Sequence, residues 1–390
     1  MHCTVKMTED LYWVGASDRR LALFESVYPI PRGVSYNAYV LLDEKTVLLD
    51  TVDQSVAGQF FENLAHVLGG RPLDYIVVHH MEPDHAKTLE ETVRRYPEAK
   101  IICNAKIRDM IRNYFTFDID ARAILVAEGD TYCFGKHTFA YVMAPMVHWP
   151  EVMVSFDERD GVLFSADAFG RFGLPGDAGD WADEARRYYI NIVGKYGSSV
   201  QTLLKKLSGL PVKTICPLHG PVLTGDLSAY LEKYDVWSSY RPEERGVLIA
   251  YTSIYGNTAS AALRLRDMLA RRGEKRVAVV DLARGDISRA VADAFRYDAL
   301  VLAASSYDGG VFPPMAAFLS RLKAKNWQKR TAAVIENGSW APSAGKTMLA
   351  ALAEMKEIAL PAPTVTIRST VSQETVEALN TLADALAARG

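Results

Sequence analysis

The sequence predicts an α/β protein in two parts, a layered arrangement of strands and helices followed by a doubly wound parallel sheet. Three observations predict it. The 390 residues exceed one ordinary domain. The first half carries short apolar runs with turn signals and occasional helical patterns. The second half alternates strands and helices with a stricter beat.

In the first half, Tyr36 to Leu42 and Thr46 to Asp50 flank Asp43-Glu44-Lys45 and read as a hairpin. Further strands are expected at Tyr75 to Val78, Lys100 to Cys103, Phe139 to Met143, Val162 to Ser165 and Lys213 to Cys216. Helical patterns lie at Leu89 to Tyr96 and Ser199 to Leu207. In the second half, strands are expected at Val247 to Tyr251, Arg276 to Asp281, Ala299 to Ala304, Thr331 to Ile335 and Thr364 to Ile367. Helices follow at Thr258 to Arg272, Ile287 to Phe295, Pro314 to Lys323, Ala344 to Met355 and Gln373 to Ala388. Such alternation is the pattern of a doubly wound sheet. The rhythm changes between Ser228 and Gly246, which reads as a connecting segment. The boundary is placed near Glu244, giving domains 1–244 and 245–390.

Composition narrows the function. With 49% apolar and 23% charged residues and a formal charge of -3, the chain lacks the basic excess that nucleic-acid binding needs. The four cysteines, Cys3, Cys103, Cys133 and Cys216, contain no CxxC pair, which argues against a disulfide framework or a thiolate metal site. Residues 1–10 hold no apolar h-region, and no apolar run approaches the ~20 residues of a membrane span. A soluble, cytoplasmic protein is expected.

The strand Tyr75 to Val78 runs into His79-His80-Met81-Glu82-Pro83-Asp84-His85, four potential ligands between His80 and His85. Pro83 is expected to stiffen this turn and keep it from continuing as a helix. His148, Asp167 and His219 each follow another predicted strand. Loops at one sheet edge gather convergent side chains. Any one of these histidines alone reads as a satisfied core residue; the set together reads as a metal site. Four histidines and three carboxylates suit two ions with one carboxylate bridging. The nitrogen and oxygen donors fit non-haem iron, and on these grounds also zinc.

His80 to His85, His148-Trp149-Pro150-Glu151, Phe164 to Gly170 and His219-Gly220-Pro221 resemble the metallo-β-lactamase-like domain of the flavodiiron proteins. Hydrolases on that fold usually show H-x-H-x-D-H, and Glu82 stands here in place of the second histidine. The resemblance implies an αββα sandwich holding two irons. It assigns one to His80, Glu82 and His148, the other to Asp84, His85 and His219, with Asp167 bridging. His79 lies outside the pattern and reads as supporting or structural.

The first strand of the second half enters Thr252-Ser253-Ile254-Tyr255-Gly256-Asn257-Thr258 at a helix start. Backbone N–H groups and the helix dipole there favour a phosphate. Neither GxGxxG nor GxxxxGK[ST] is present. Two more strand ends carry Ser305-Ser306-Tyr307-Asp308-Gly309-Gly310 and Asn337-Gly338-Ser339-Trp340, each with an aromatic able to cover a flat ring. This half resembles a five-stranded flavodoxin-like domain, and the phosphate loop is similar to that of the flavodiiron proteins. The loop at Ser306 departs from the family's usual wording.

The resemblance implies a flavodiiron oxidoreductase that carries FMN and a di-iron centre. It would reduce O2 to water, NO to nitrous oxide, or both, with electrons from rubredoxin or a similar donor. It also implies a head-to-tail homodimer or a dimer of dimers. No rubredoxin module is expected within the chain, since it has no CxxC pair. Tyr188, Tyr189 and Trp149 are pocket candidates, with Tyr189 assigned as the proton or hydrogen-bond donor. The alternatives are a zinc hydrolase with a flavodoxin-like partner domain, disfavoured by Glu82, and a non-catalytic electron carrier or gas sensor, which needs no intact ligand set.

Overall fold

The computed structural model describes residues 2–389 and divides the chain into two compact units. One comprises Met1–Tyr189 and Ser198–Asp235; the other comprises Ile190–Gly197 and Val236–Gly390.

The first unit holds two larger mixed sheets. Seven strands run in the order Val5–Lys6, Leu11–Trp13, Tyr39–Leu42, Thr46–Leu49, Tyr75–Val77, Lys100–Cys103 and Ala123–Leu125. Six run from Thr131–Cys133 through Thr138–Met143, Met153–Asp157, Val162–Phe164 and Thr214–Cys216 to Leu223–Thr224. The hairpin turns where its sequence predicts, with Leu42 opposite Thr46. Aromatic rings join the two sheets: Tyr39 meets Phe164 at 5.5 Å, and Tyr75 meets Tyr132 at 5.3 Å. Tyr39 and Phe164 are fully buried, and each such large side chain contributes roughly 1.5–3 kcal/mol.

Direction of the strands decides where the site lies. Tyr75–Val77 runs parallel to both its neighbours, and Val162–Phe164 runs parallel to Thr214–Cys216. The candidate ligands all sit just beyond strand ends. Met153 N donates to His79 O across the sheets at 3.1 Å, which pins the two sheets together beside those ends.

In the second unit a parallel sheet runs Val277–Asp281, Glu244–Tyr251, Tyr297–Tyr307, Arg330–Asn337. Ile358–Ala359 and Val365–Ile367 share the position beyond it, each parallel to Arg330–Asn337. Ile249, Val301 and Ile335 from the strands and Leu265 and Leu379 from the helices pack in one buried cluster. The third and fourth strands outrun their predicted ends and carry Ser305, Ser306 and Asn337 directly into the loops that follow. A short strand, Gly310–Val311, folds back on Ser306–Tyr307. Asp308 and Gly309, at φ 48° and 71°, make the turn between them, the left-handed pair that a two-residue hairpin requires.

Two local expectations need correction. Ser228 to Gly246 is not an irregular connection: Ser228–Ser238 is helical and a strand begins at Glu244. Tyr234 and Trp237, one turn apart and both buried, give that helix a packed face. Pro83 does not prevent a helix but opens one, Pro83–Ala86. At the first helical position its missing N–H costs nothing and its fixed φ suits the helix. Among the described residues no helix is long and apolar enough to cross a membrane.

Candidate metal centre and ligand pocket

Seven side chains from four strand-end loops converge in the first unit. His80, Glu82, His148 and Asp167 form one group; Asp84, His85 and His219 form another. Asp167 joins them. Its Oδ2 lies 3.1 Å from His148 Nε2 and 3.4 Å from His80 Nε2, while its Oδ1 lies 3.4 Å from His85 Nε2 and 3.7 Å from His219 Nε2. One carboxylate thus turns an oxygen to each group.

The surroundings fix which nitrogen of each histidine faces inward. His219 Nδ1 donates to the Ser35 carbonyl at 2.8 Å, and His80 Nδ1 donates to Glu151 Oε1 at 2.8 Å. With Nδ1 protonated, the Nε2 lone pair points into the site. The loop bearing His219 is clamped from the opposite strand. Asn37 N donates to Leu218 O at 2.8 Å, Asn37 Nδ2 donates to Pro217 O at 2.8 Å and Gly220 O at 3.0 Å, and Tyr39 Oη donates to Pro217 O at 2.8 Å. Trp13 Nε1 in turn donates to Asn37 Oδ1 at 2.9 Å. His79 stands outside both groups, held between Asp50 Oδ2 at 2.5 Å and Ser155 Oγ at 2.8 Å.

These residues fit a pair of metal ions. His85 Nε2 and His219 Nε2 face each other at 3.0 Å, an approach that needs a shared proton or a metal cation between the two nitrogens. Both Asp84 oxygens and Asp167 Oδ1 are buried and have no hydrogen-bond partner among the described residues. Imidazole nitrogens face them, at 3.2 Å from Asp84 and 3.4–3.7 Å from Asp167 Oδ1, and buried carboxylates are costly without a compensating cation. Burial alone would lower the His85 and His148 pKa values. The carboxylates outweigh it, Asp84 and Asp167 pushing His85 up to about 10, and Asp167 and Glu82 pushing His148 up to about 9. The same pairing holds Asp84 and Asp167 below the usual carboxylate range despite burial. The pocket selects positive charge, and nitrogen–oxygen donors without thiolate suit iron or zinc.

Two further residues reach this centre without a clear signal in the sequence. Glu25, at φ 48° in the turn after Leu23–Phe24, is an exposed residue whose carboxyl end comes near Glu82; partial loss of hydration at that end and then the Glu82 charge raise its pKa. Tyr36 packs edge-on to His85 and His219 at 6.4 and 5.8 Å. Trp149 edges His80 at 5.3 Å. The neighbouring tyrosines part company: the Tyr188 ring lies 5.4 Å from the His219 ring, whereas the Tyr189 ring packs on Tyr234 at 5.0 Å.

In the second unit, the three predicted loops surround a cavity of about 380 Å³. All sixteen residues assigned from sequence line it except Thr252 and Gly256; Ala341, Ser343 and Ser369 line it in addition. Thr252 lies beneath, fully buried, its Oγ1 without a partner among the described residues. Gly256, at φ 95°, precedes helix Asn257–Arg271 and lets the loop turn; its own N–H donates to Ser253 Oγ at 3.1 Å, while the first turn of the helix has no side-chain cap from the N-cap residue. That is the donor-rich cradle a phosphate needs. Thr258 Oγ1 and Ser305 Oγ meet at 3.0 Å, and Ser306 Oγ accepts from the N–H groups of Ser343 and Ala344. Tyr255 and Trp340, 93% and 90% exposed, stand at the cavity with apolar faces unused within this chain.

Comparisons with known proteins agree with this geometry. Residues 34–220 match the model of the ODP family beta lactamase. A nitric oxide reductase of Moorella thermoacetica is 29% identical over 377 residues, covering 93% of each chain. The rubredoxin oxygen:oxidoreductase of Desulfovibrio gigas superposes with a TM-score of 0.92 at 26% identity, over 99% of this chain and 98% of that one. A flavo di-iron protein mutant from Thermotoga maritima does so at 0.89 and 25%, over 98% of both. Over nearly its whole length the chain is similar to flavodiiron proteins. Like those relatives it is an oxidoreductase. Its fold joins a lactamase-like sandwich to a flavodoxin-like sheet.

Proposed function

We propose that this chain reduces dioxygen to water, nitric oxide to nitrous oxide, or both, at a non-haem di-iron centre fed through FMN. The observation that carries the reading is Asp167, whose two oxygens each face one complete set of nitrogen and oxygen donors.

His80, Glu82 and His148 would hold one iron, Asp84, His85 and His219 the other, with Asp167 between them. The Thr252–Thr258 loop would take the FMN phosphate, and Ser305 to Gly309 with Asn337 to Trp340 would flank its ring. Bound iron supplies one-electron redox chemistry and Lewis acidity, and FMN supplies a two-electron store. The chain's own residues orient and shelter. Glu151 and the Ser35 carbonyl fix the imidazoles. Phe24 and Tyr188 pack their rings 5.4 Å from that of His219 and keep water from it. Tyr188 is a buried phenol whose burial, with Asp167, Asp84 and Glu82 near, holds its proton firmly. It can donate a hydrogen bond to bound substrate without ionising. Tyr189 acts one layer back, through Tyr234. We further take the metal-binding part as residues 1–244 and the flavin-binding part as 245–390. An external rubredoxin-type protein is the donor, and a head-to-tail homodimer is the working unit.

The test is metal and flavin analysis of protein grown with iron, followed by anaerobic reduction and parallel turnover with O2 and NO. Two irons and one FMN per chain with consumption of either gas support the reading. Two zinc ions without iron would point instead to hydrolysis, and a single ion would overturn both.

A further inference from the structure

The two ligand sets differ in what stands behind their histidines. Behind His80 is a carboxylate. Glu151 Oε1 accepts from His80 Nδ1 at 2.8 Å and from the Met81 backbone N–H at 3.0 Å. Glu151 is 1% exposed, and its Oε2, also buried, has no hydrogen-bond partner among the described residues. Behind His219 is only the neutral Ser35 carbonyl, and His85 Nδ1 is buried with no partner among the described residues. The other buried carboxylate nearby, Asp50, is taken up by His79 through its backbone N–H at 2.8 Å and its ring at 2.5 Å.

The charge around the two positions is therefore uneven. Each set owns one carboxylate, Glu82 or Asp84, and both share Asp167. The His80 set has a further buried carboxylate one imidazole away. An imidazole that donates to a carboxylate is a more basic ligand than one that donates to a carbonyl. A fixed negative charge in a dry pocket also favours the higher oxidation state of a nearby ion, because little solvent screens it.

Resting on the di-iron reading above, we propose that Glu151 makes the two irons unequal in potential, so that the ion held by His80, Glu82 and His148 stays ferric while the ion held by Asp84, His85 and His219 takes the first electron. Glu151 is a positioning residue: it touches neither iron nor substrate and acts through His80. Its replacement by glutamine keeps an oxygen that can accept from both His80 Nδ1 and Met81 N–H. Only the charge is lost.

The experiment is a reductive titration of the holoenzyme, followed by electron paramagnetic resonance and by Mössbauer spectroscopy of iron-57-loaded protein, with dithionite supplying the electrons. Iron content is measured first; a chain that holds fewer than two irons in the wild type defeats the di-iron reading itself and is recognised as such. With two irons bound, the wild type should accumulate a one-electron-reduced form with localised ferric and ferrous sub-spectra. In Glu151→Gln the lower of the two midpoints should rise by at least the equivalent of a tenfold shift in its one-electron equilibrium, 59 mV, and the half-reduced fraction should fall. Glu151→Asp, which keeps the charge, should restore the separation. Unchanged midpoints in a fully loaded Glu151→Gln protein overturn the proposal. If that variant does not load, the wild type decides: both electrons entering together, without a half-reduced form, also overturns it.

Discussion

Tyr188 and Tyr189 are neighbours on one helix, and a helix turns about 100° per residue, so only one can face a given site. The ring of Tyr188 meets His219 and that of Tyr189 meets Tyr234. Tyr188→Phe should lower turnover of both gases by roughly 10²-fold, in the range of a lost positioned proton donor, with iron content intact. Tyr189→Phe should leave turnover within a few fold. Steady-state rates of the two variants side by side check this, and equal rates for Tyr188→Phe and wild type would remove that phenol from the chemistry. Asp167 gives a second prediction at the same scale. Asp167→Ala removes the one carboxylate common to both groups, so bound iron should fall from two per chain to one or none. Metal analysis after desalting reads the outcome directly.

The ligand motif was legible because its residues are dense in sequence and sit after apolar runs: His80 to His85 spans six residues. Helical pattern gives spacing and not the absolute direction of a face, so it does not by itself choose between two adjacent tyrosines. Glu25 was hidden for another reason. It lies in a hairpin of two-residue strands at left-handed φ, and so short an element leaves no periodic trace.

At the level of elements, the strands that lead into the site loops were predicted within three residues at each end, while the early strands between Val5 and Tyr36 were largely missed. They are two or three residues each, and their pairing is set by tertiary contacts. The helix Ser228–Ser238 was missed because its packed face rests on Tyr234 and Trp237 near its end, not on an extended stripe. Two elements invite measurement. Gly256 sits at φ 95° with open space around a would-be Cβ, so an alanine there meets backbone strain and no clash. Gly256→Ala should weaken FMN binding about tenfold, corresponding to the roughly 1–2 kcal/mol of a left-handed L-residue, as read by flavin fluorescence on dilution.

His137 ties the loop at Asp10 to the strand Met153–Asp157. Its Nδ1 lies 2.9 Å from Asp157, its Nε2 3.3 Å from Asp10, and Arg159 braces Asp10 at 3.0 Å. Burial opposes the charged imidazole, but Asp157 and Asp10 outweigh it and raise the His137 pKa. A raised folded value contributes stability that is complete below the unfolded value of about 6.5 and fades as pH rises through the folded one. His137→Gln should therefore lower the melting midpoint more at pH 6 than at pH 9. A constant difference across that range would show that the imidazole acts only by its shape.

For the molecule as a whole, the proposed head-to-tail dimer has a measurable consequence. A variant lacking metal ligands, His148→Ala, and one unable to hold flavin, through Gly256→Ala combined with Asn257→Ala, should each be inactive alone. If one subunit's FMN serves the other's irons, mixed dimers of the two retain one working pair, and activity should reappear on unfolding and co-refolding. No recovery in verified mixed dimers would favour transfer within a single chain.

His85 and His219 meet across 134 positions of sequence, with Asp167 coming from a third place between. A nascent chain that has emerged only as far as Leu218 therefore lacks His219 and cannot complete one of the two donor sets, and a locally misfolded chain would fail to complete it too. On the di-iron reading, a pair of irons would be captured only after distant segments have found each other, and its binding energy would then help to keep them there. Holding the pair would thus report that the domain has matured correctly, and chelators should expose immature or damaged copies to proteolysis first.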